Sequence, residues 1–388
     1  MKMLQRWTRQ LLQVQASRLR CSSFASKPHV ASATPVLQET PVDWGSLPPA
    51  RLRGRRYLVG SDSPGVPELL QPPREGYPPV YVPAGSGEFS PEDWAAAARD
   101  VIGKVVDGRI GAVLFRGLPL HTAADFSRFV SNAGLSLMTY EGGAAMRTNV
   151  TDHVDTASIE HPAISMETHN EMSYTQPYPE KILFYCQEPA MPGHGGESVM
   201  ADVREILRKL DPSVVDKFRS LGVRYHRHLP ESSEAFHGFN SWKDTFRTDS
   251  RDDVEKYMTS RGMTWRWAED WALSWWCNRP AMTLYKGEWL WFNQANVLNA
   301  DYIASHPEYN SSHSTPAHLS PFHTYYGDGS DIEPEVLQHI RDVTWQAAVG
   351  FQLQRRDVLV LNNMYIQHGR LGFTGNRRLL VYLAESDA

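Results

Sequence analysis

Cysteine is scarce in this chain: Cys21, Cys186 and Cys277 are the only three in 388 residues. That spacing excludes a disulfide framework and a cysteine-based zinc site, and suits a reducing compartment. No apolar run approaches the roughly 20 residues that span a bilayer as a helix. Internal repeats and low-complexity tracts are missing as well. Acidic residues are absent from the first 38 positions, which carry Lys2, Arg6, Arg9, Arg18, Arg20 and Lys27. Without those six cations the net charge falls from −5 to −11. A body that acidic is a poor partner for a phosphate backbone, so nucleic acid is not expected as a ligand.

Hydrophobic residues make up 41% of the chain and aromatics 11%, enough for a sizeable core. Residues 1–35 read as a mitochondrial transit peptide. They are basic and Ser-bearing, with Trp7, Leu11, Leu12 and Val14 on the apolar side of a short helix. The matrix is the implied location and the cytoplasm the alternative. Residues 36–90 are rich in Pro and Gly, including Pro48-Pro49 and Pro78-Pro79. They read as an irregular lead-in without regular structure of its own. Residues 91–388 read as a single domain.

Within that domain Ser90-Pro91-Glu92-Asp93 carries an N-cap, a first-turn proline and early acids, which predicts a helix to about Asp107. Thr122 caps a second helix over 122–134. Gly111–Gly117, Lys181–Cys186, Val223–His228, Val349–Leu353, Val358–Leu361 and Leu379–Ala384 read as strands. Helices are expected from Asp202 to Leu210, Asp211 to Leu221, over 251–261, and from Pro334 to Ala348. Residues 230–250 read as polar and irregular. Trp265, Trp267, Trp271, Trp275, Trp276, Trp289 and Trp291 cluster in one stretch, read as core and dimer packing ahead of an aromatic substrate cage. Short strands broken by turns favour a mainly β fold, a jelly roll with flanking and inserted helices.

The chemistry centres on Thr168-His169-Asn170-Glu171-Met172. In an extended segment side chains alternate, so His169 and Glu171 point the same way. A third ligand stands in Asn362-Asn363-Met364-Tyr365-Ile366-Gln367-His368, directly after a strong strand. Two His and one carboxylate form the facial triad of non-heme Fe(II) oxygenases. A second His-x-acid pair, His153-Val154-Asp155, shows that the short pattern does not identify itself. Further along, Gly193-His194-Gly195-Gly196-Glu197-Ser198 allows close backbone approach and ends in a hydroxyl. Arg377-Arg378 follows His368 by nine and ten residues. Arg147 with Thr148, behind a Gly-rich loop, and Asn293, Gln294 and Asn296, among aromatics, are the candidates for touching substrate.

Several of these segments together carry a family likeness. They are Tyr140-x-Gly142-Gly143-Ala144-Ala145-x-Arg147-Thr148, Thr168–Met172, Lys181–Cys186, Gly195–Ser198 and His368-Gly369-Arg370-x-x-Phe373-Thr374. From about Gly111 to Ala384 the chain resembles the clavaminate synthase-like branch of the taurine dioxygenase superfamily of Fe(II)/2-oxoglutarate oxygenases. The resemblance implies a double-stranded β-helix with iron on His169, Glu171 and His368. It implies 2-oxoglutarate as co-substrate and O2 as oxidant, with Ser198 and either Arg377 or Arg378 at the far carboxylate. A guanidinium suits that role because it meets a carboxylate through two parallel hydrogen bonds. Many relatives carry Asp where this chain has Glu171; Glu is one methylene longer and still a one-oxygen ligand. The implied reaction hydroxylates or desaturates a small polar or amino-acid-like metabolite, releasing succinate and CO2. Two rival readings use the same residues: a zinc hydrolase, and a catalytically silent metal-bearing interaction protein.

Overall fold

The Lys181–Glu188 strand is buried from Lys181 through Cys186. An unbroken apolar run of that kind belongs inside a sheet covered on both faces. In the computed structural model it lies between the Val358–Asn362 and Arg378–Ala384 strands, antiparallel to both. The structure describes residues 34–385 apart from 86, 141–142, 145–146, 158–159, 233–240 and 308–314. The expected transit peptide lies outside the described residues, save for its last two positions.

These strands belong to an eight-stranded sheet. Its order is Val36–Glu39, Val80–Ala84, Ala112–Phe115, Val358–Asn362, Lys181–Glu188, Arg378–Ala384, Val154–Thr156, Asn149–Thr151. Alternate residues take opposite faces. Leu183, Tyr185, Val360, Leu380 and Tyr382 pack with Trp94 and Phe126 of the Pro91–Val101 and Ala123–Asn132 helices. Both helices begin where the sequence placed them. Ser90 with Asp93 and Thr122 with Asp125 each form a reciprocal capping box. The first ends in a wider π-helical turn over Ile102–Val106.

The other face, with Ile182, Phe184, Leu359, Leu361 and Val381, shares a core with Val199, Met200 and Ile366. These last three come from a four-stranded sheet in the order Ala348–Phe351, Ser198–Asp202, Ile366–Arg370, Met166–His169. The two sheets form the double-stranded β-helix, and the helices flank it. A further four-stranded sheet holds Thr264–Trp267, Leu273–Arg279, Val223–Leu229 and His323–Tyr326. Trp275 and Trp291 are core residues, while Trp271 and Trp289 are 49% and 54% exposed.

Two expectations need correction. Residues 36–90 are not an irregular lead-in. Val36–Glu39 and Val80–Ala84 pair with each other, and the latter runs parallel to Ala112–Phe115 at the edge of the main sheet. Trp44, Leu52, Leu58 and Leu70 of this segment are buried in the main core. The 230–250 stretch also contains regular structure, a short helix over Trp242–Phe246 capped by Ser241 and Asp244.

Candidate metal centre

His169 ends the Met166–His169 strand and His368 lies opposite it on Ile366–Arg370. The register shifts between His368 and Arg370. A Cβ on the intervening Gly369 would stand 2.6 Å from the Met166 carbonyl oxygen, so this close crossing needs glycine. The two imidazole centroids are 4.5 Å apart. Glu171 Oε2 lies 3.7 Å from His169 Nε2 and 3.5 Å from His368 Nε2. One ligand atom from each of the three residues falls within 4.8 Å of the others.

Amides place the Glu171 backbone. Its N–H donates to Asn363 Oδ1 at 2.7 Å, and Asn363 Nδ2 donates back to the Glu171 carbonyl at 2.9 Å. The intervening Asn170 side chain turns away, donating to the Asn363 carbonyl at 2.6 Å and accepting from Gln367 Nε2 at 3.1 Å. His169 Nδ1 lies 3.0 Å from the Glu167 carbonyl oxygen. Donation to that oxygen puts the proton on Nδ1 and leaves the Nε2 lone pair facing Glu171.

Charge completes the arrangement. Arg147 Nη2 lies 3.0 Å from Glu171 Oε1, with only 3% of its side chain exposed. Burial raises the affinity of the Glu171 carboxyl for a proton. Arg147 and the two imidazoles outweigh that effect, and the group sits well below the usual carboxylate range. Burial, then repulsion from His169, pushes His368 down to about 4. An ionised carboxylate and a neutral imidazole are the forms that bind a metal. Two nitrogens and one oxygen meeting from one side fit an octahedral divalent ion with its other side free.

The three residues border a cavity of about 270 Å3, which Ser198, Arg377 and Arg378 also line. The two arginines differ. Arg377 turns inward and donates from Nε to the Gly196 carbonyl at 2.8 Å. Burial and the nearby Arg370 lower it to about 9. Arg378 is exposed, and its backbone pairs with Glu188 in the main sheet. A Cβ at Gly196 would meet Arg377 Cδ at 2.8 Å. The Gly-Gly pair therefore makes room for the inward-turned guanidinium.

Other candidates stand elsewhere. Thr148 is exposed and its N–H donates to Thr156 Oγ1. Asn293 bridges the Ala281 carbonyl and the Ala295 N–H, and Gln294 donates to the Asn170 carbonyl. Asn296 donates to Glu167 Oε2 at 2.6 Å. None of these four lines the metal cavity. His153 is exposed, and neither it nor Asp155 joins a metal-type cluster among the described residues. The sequence held no local signal of a buried pair, Arg341 and Glu167, with Nε to Oε1 at 3.0 Å. Nor did it show that Arg147 grips the Glu171 carboxylate.

Residues 75–383 match the family model described as taurine catabolism dioxygenase TauD, TfdA family. Dapdiamide synthesis protein DdaC from Enterobacter agglomerans is 32% identical over 279 residues, 71% of this chain and 82% of that one. A clavaminate synthase-like protein from Arabidopsis thaliana is 29% identical over 280 residues, with the same two coverages, 71% and 82%. Among solved structures, the PvcB protein from Pseudomonas aeruginosa superposes at a TM-score of 0.41 with 16% identity, over 80% of this chain and 86% of that one. On the family match and the 32% relative, the chain belongs to the TauD/TfdA dioxygenase family and is an Fe(II)- and 2-oxoglutarate-dependent dioxygenase.

Proposed function

We propose that His169, Glu171 and His368 hold the iron, and that Ser198 and Arg377 receive the distal carboxylate of 2-oxoglutarate. The substrate is then a small polar or amino-acid-like metabolite that is hydroxylated or desaturated. The observation that carries this reading is one cavity with the three donors on its wall and a half-buried, carboxylate-free guanidinium lining it. Arg147, Arg370, Arg377 and Arg378 on that wall outnumber Glu160 and Glu171, which favours anionic guests.

When bound, Fe(II) supplies O2 activation and, with 2-oxoglutarate, the oxidising power for a C–H bond. The chain's own residues prepare the site. Arg147 keeps Glu171 ionised, and the Glu167 carbonyl fixes the His169 tautomer. Phe184, Val199, Leu359 and Leu379 line the cavity with apolar surface and limit water. Arg377 orients the co-substrate through a charge-assisted contact worth roughly ten- to a hundred-fold in affinity.

The test is succinate release from 2-oxoglutarate by purified protein supplied with Fe(II), before and after His368→Ala. A loss of a hundred-fold or more is expected. Equal release from both proteins removes His368 from the site. Activity restored by Zn(II) but not Fe(II) would point to the hydrolase chemistry instead. Residues 1–35 are proposed to direct the protein to mitochondria. A fusion of that segment to a fluorescent protein that stays in the cytosol overturns this. A homodimer, if formed, is proposed to use the exposed Leu284 and Trp289, paired across one hairpin. Light scattering that gives the monomer mass at micromolar concentration removes it.

A further inference from the structure

A second cavity, about 520 Å3, is lined by Tyr140, Arg147, Asp155, Thr245, Arg247 and Tyr257. It exceeds the metal cavity of about 270 Å3 and shares Arg147 with it. Along the Arg378–Ala384 strand, Leu379 lines the metal cavity, whereas Val381 and Leu383 line the second. Alternate residues of a strand share a face. The two cavities therefore succeed each other along the inner face of one sheet, with Arg147 common to both.

Two buried polar groups on this wall lack partners. Arg147 gives one nitrogen to Glu171, but its Nε and Nη1 make no hydrogen bond. Thr245 Oγ1 is likewise buried and unpaired. Buried polar atoms are almost always satisfied, so two exceptions on one cavity wall indicate a guest that satisfies them. A guanidinium only donates, so the guest must offer an acceptor. The Tyr140 ring lies 4.3 Å from the guanidinium carbon and covers one of its faces, which leaves approach in the plane. Arg247, exposed on the same wall, adds a second cation, against Asp155 as the acid. Asp155 already accepts from Asn149 Nδ2 at 3.2 Å. Phe246, Val381 and Leu383 supply apolar walls.

We propose that this second cavity binds an organic carboxylate with an apolar body, its carboxylate on Arg147 and a second polar contact on Thr245. That this guest is also the molecule oxidised rests on the dioxygenase reading above. The binding claim stands without it.

The test is calorimetric titration of the anaerobic Fe(II) protein, saturated with 2-oxoglutarate. The probes are hexanoate, 3-phenylpropionate and 4-phenylbutyrate, each against its primary amide. At least one acid is expected to bind ten-fold or more tightly than its amide. Arg147→Gln should abolish that preference. Thr245→Val, a near-isostere at a residue that does not line the metal cavity, should weaken the acid three-fold or more and keeps the test open if the Arg147 variant does not fold. The proposal is overturned if no acid is preferred, or if Thr245→Val leaves the acid's affinity unchanged. It is also overturned if the preference survives Arg147→Gln but vanishes in Arg377→Gln, because the acid then occupies the co-substrate end of the metal cavity. Succinate release without probe is measured on the same samples. Its absence alongside an intact acid preference removes the dioxygenase reading and leaves this site standing; its presence with no acid preference does the reverse.

Discussion

Asn363 is fully buried and makes three bonds through one amide. It accepts from the Glu171 N–H at 2.7 Å and donates to the carbonyls of Glu171 and Pro179 at 2.9 and 2.7 Å. Truncation leaves one donor and two acceptors unpaired in a dry environment, at a cost of about 1–3 kcal/mol for each group not rescued by water. Asn363→Ala is therefore expected to lower unfolding free energy by about 3 kcal/mol in urea, and to weaken metal binding about ten- to a hundred-fold. Calorimetry with Mn(II) in place of iron checks the second figure, and unchanged affinity would detach Asn363 from the metal site. The sequence showed Asn362-Asn363 only as a turn, because its partner is 192 positions away. The arginine question has the same character. Spacing left Arg377 and Arg378 open, and only the strand's facing separates a half-buried guanidinium bonded inside the cavity from an exposed one. Arg377→Lys should raise the Kd for 2-oxoglutarate at least ten-fold, while Arg378→Lys should change it less than three-fold. The opposite ranking in a titration of the Fe(II) protein reassigns the contact.

Elements whose signals are local were legible. Capping boxes at Ser90 and Thr122, the apolar run at Lys181 and the helix opened by Pro334 all appear where the pattern put them. The Val36–Glu39 and Val80–Ala84 strands were not. Each is short, one contains Pro83, and what makes them strands is pairing with segments some 30 to 50 residues away. Trp44 shows that this segment is structural, since it packs edge-on against Phe351 at 5.1 Å and is 1% exposed. Trp44→Ala is expected to cost about 3–5 kcal/mol, and a thermal midpoint within a degree of wild type would contradict the assignment. The Val223–Leu229 strand carries a different liability. His226 is opposite His323 and Trp276, with His228 two residues on. Burial first, then the neighbouring His323, His228, His318 and Arg266, lower His226 to about 4. His368 is lowered to about 4 as well. A base whose folded pKa lies below its unfolded value of about 6.5 binds its proton more readily when unfolded. Stability of the metal-free protein should thus fall as pH drops from about 6.5 toward 4, with protons taken up on unfolding. His226→Gln should remove about one of them, as read from urea unfolding at stepped pH.

For the molecule as a whole, the proposed iron site joins segments nearly 200 residues apart in the chain. His169 ends one edge strand of the minor sheet, Glu171 follows it, and His368 sits on the neighbouring strand. Around them the sequence built the frame from apolar patterning, but the closure depends on contacts no local pattern encodes: Arg147 to Glu171, and Arg341 to Glu167 with Asp301 behind it. An ion that binds only the closed arrangement acts as a removable cross-link between the two strands. Its stabilisation follows mass action, about 2.7 kcal/mol at a free concentration one hundred times Kd. Hydrogen exchange should therefore slow together at Met166–Glu171 and Ile366–Arg370 when Mn(II) is added to metal-free protein, and stay unchanged in the Met282–Tyr285 and Glu288–Trp291 hairpin, which carries none of the three ligands. Protection gained at only one of the two ligand-bearing strands would mean that the ion does not bridge them. The shared centre, and with it the reading of the cavity between the sheets, would then have to be abandoned.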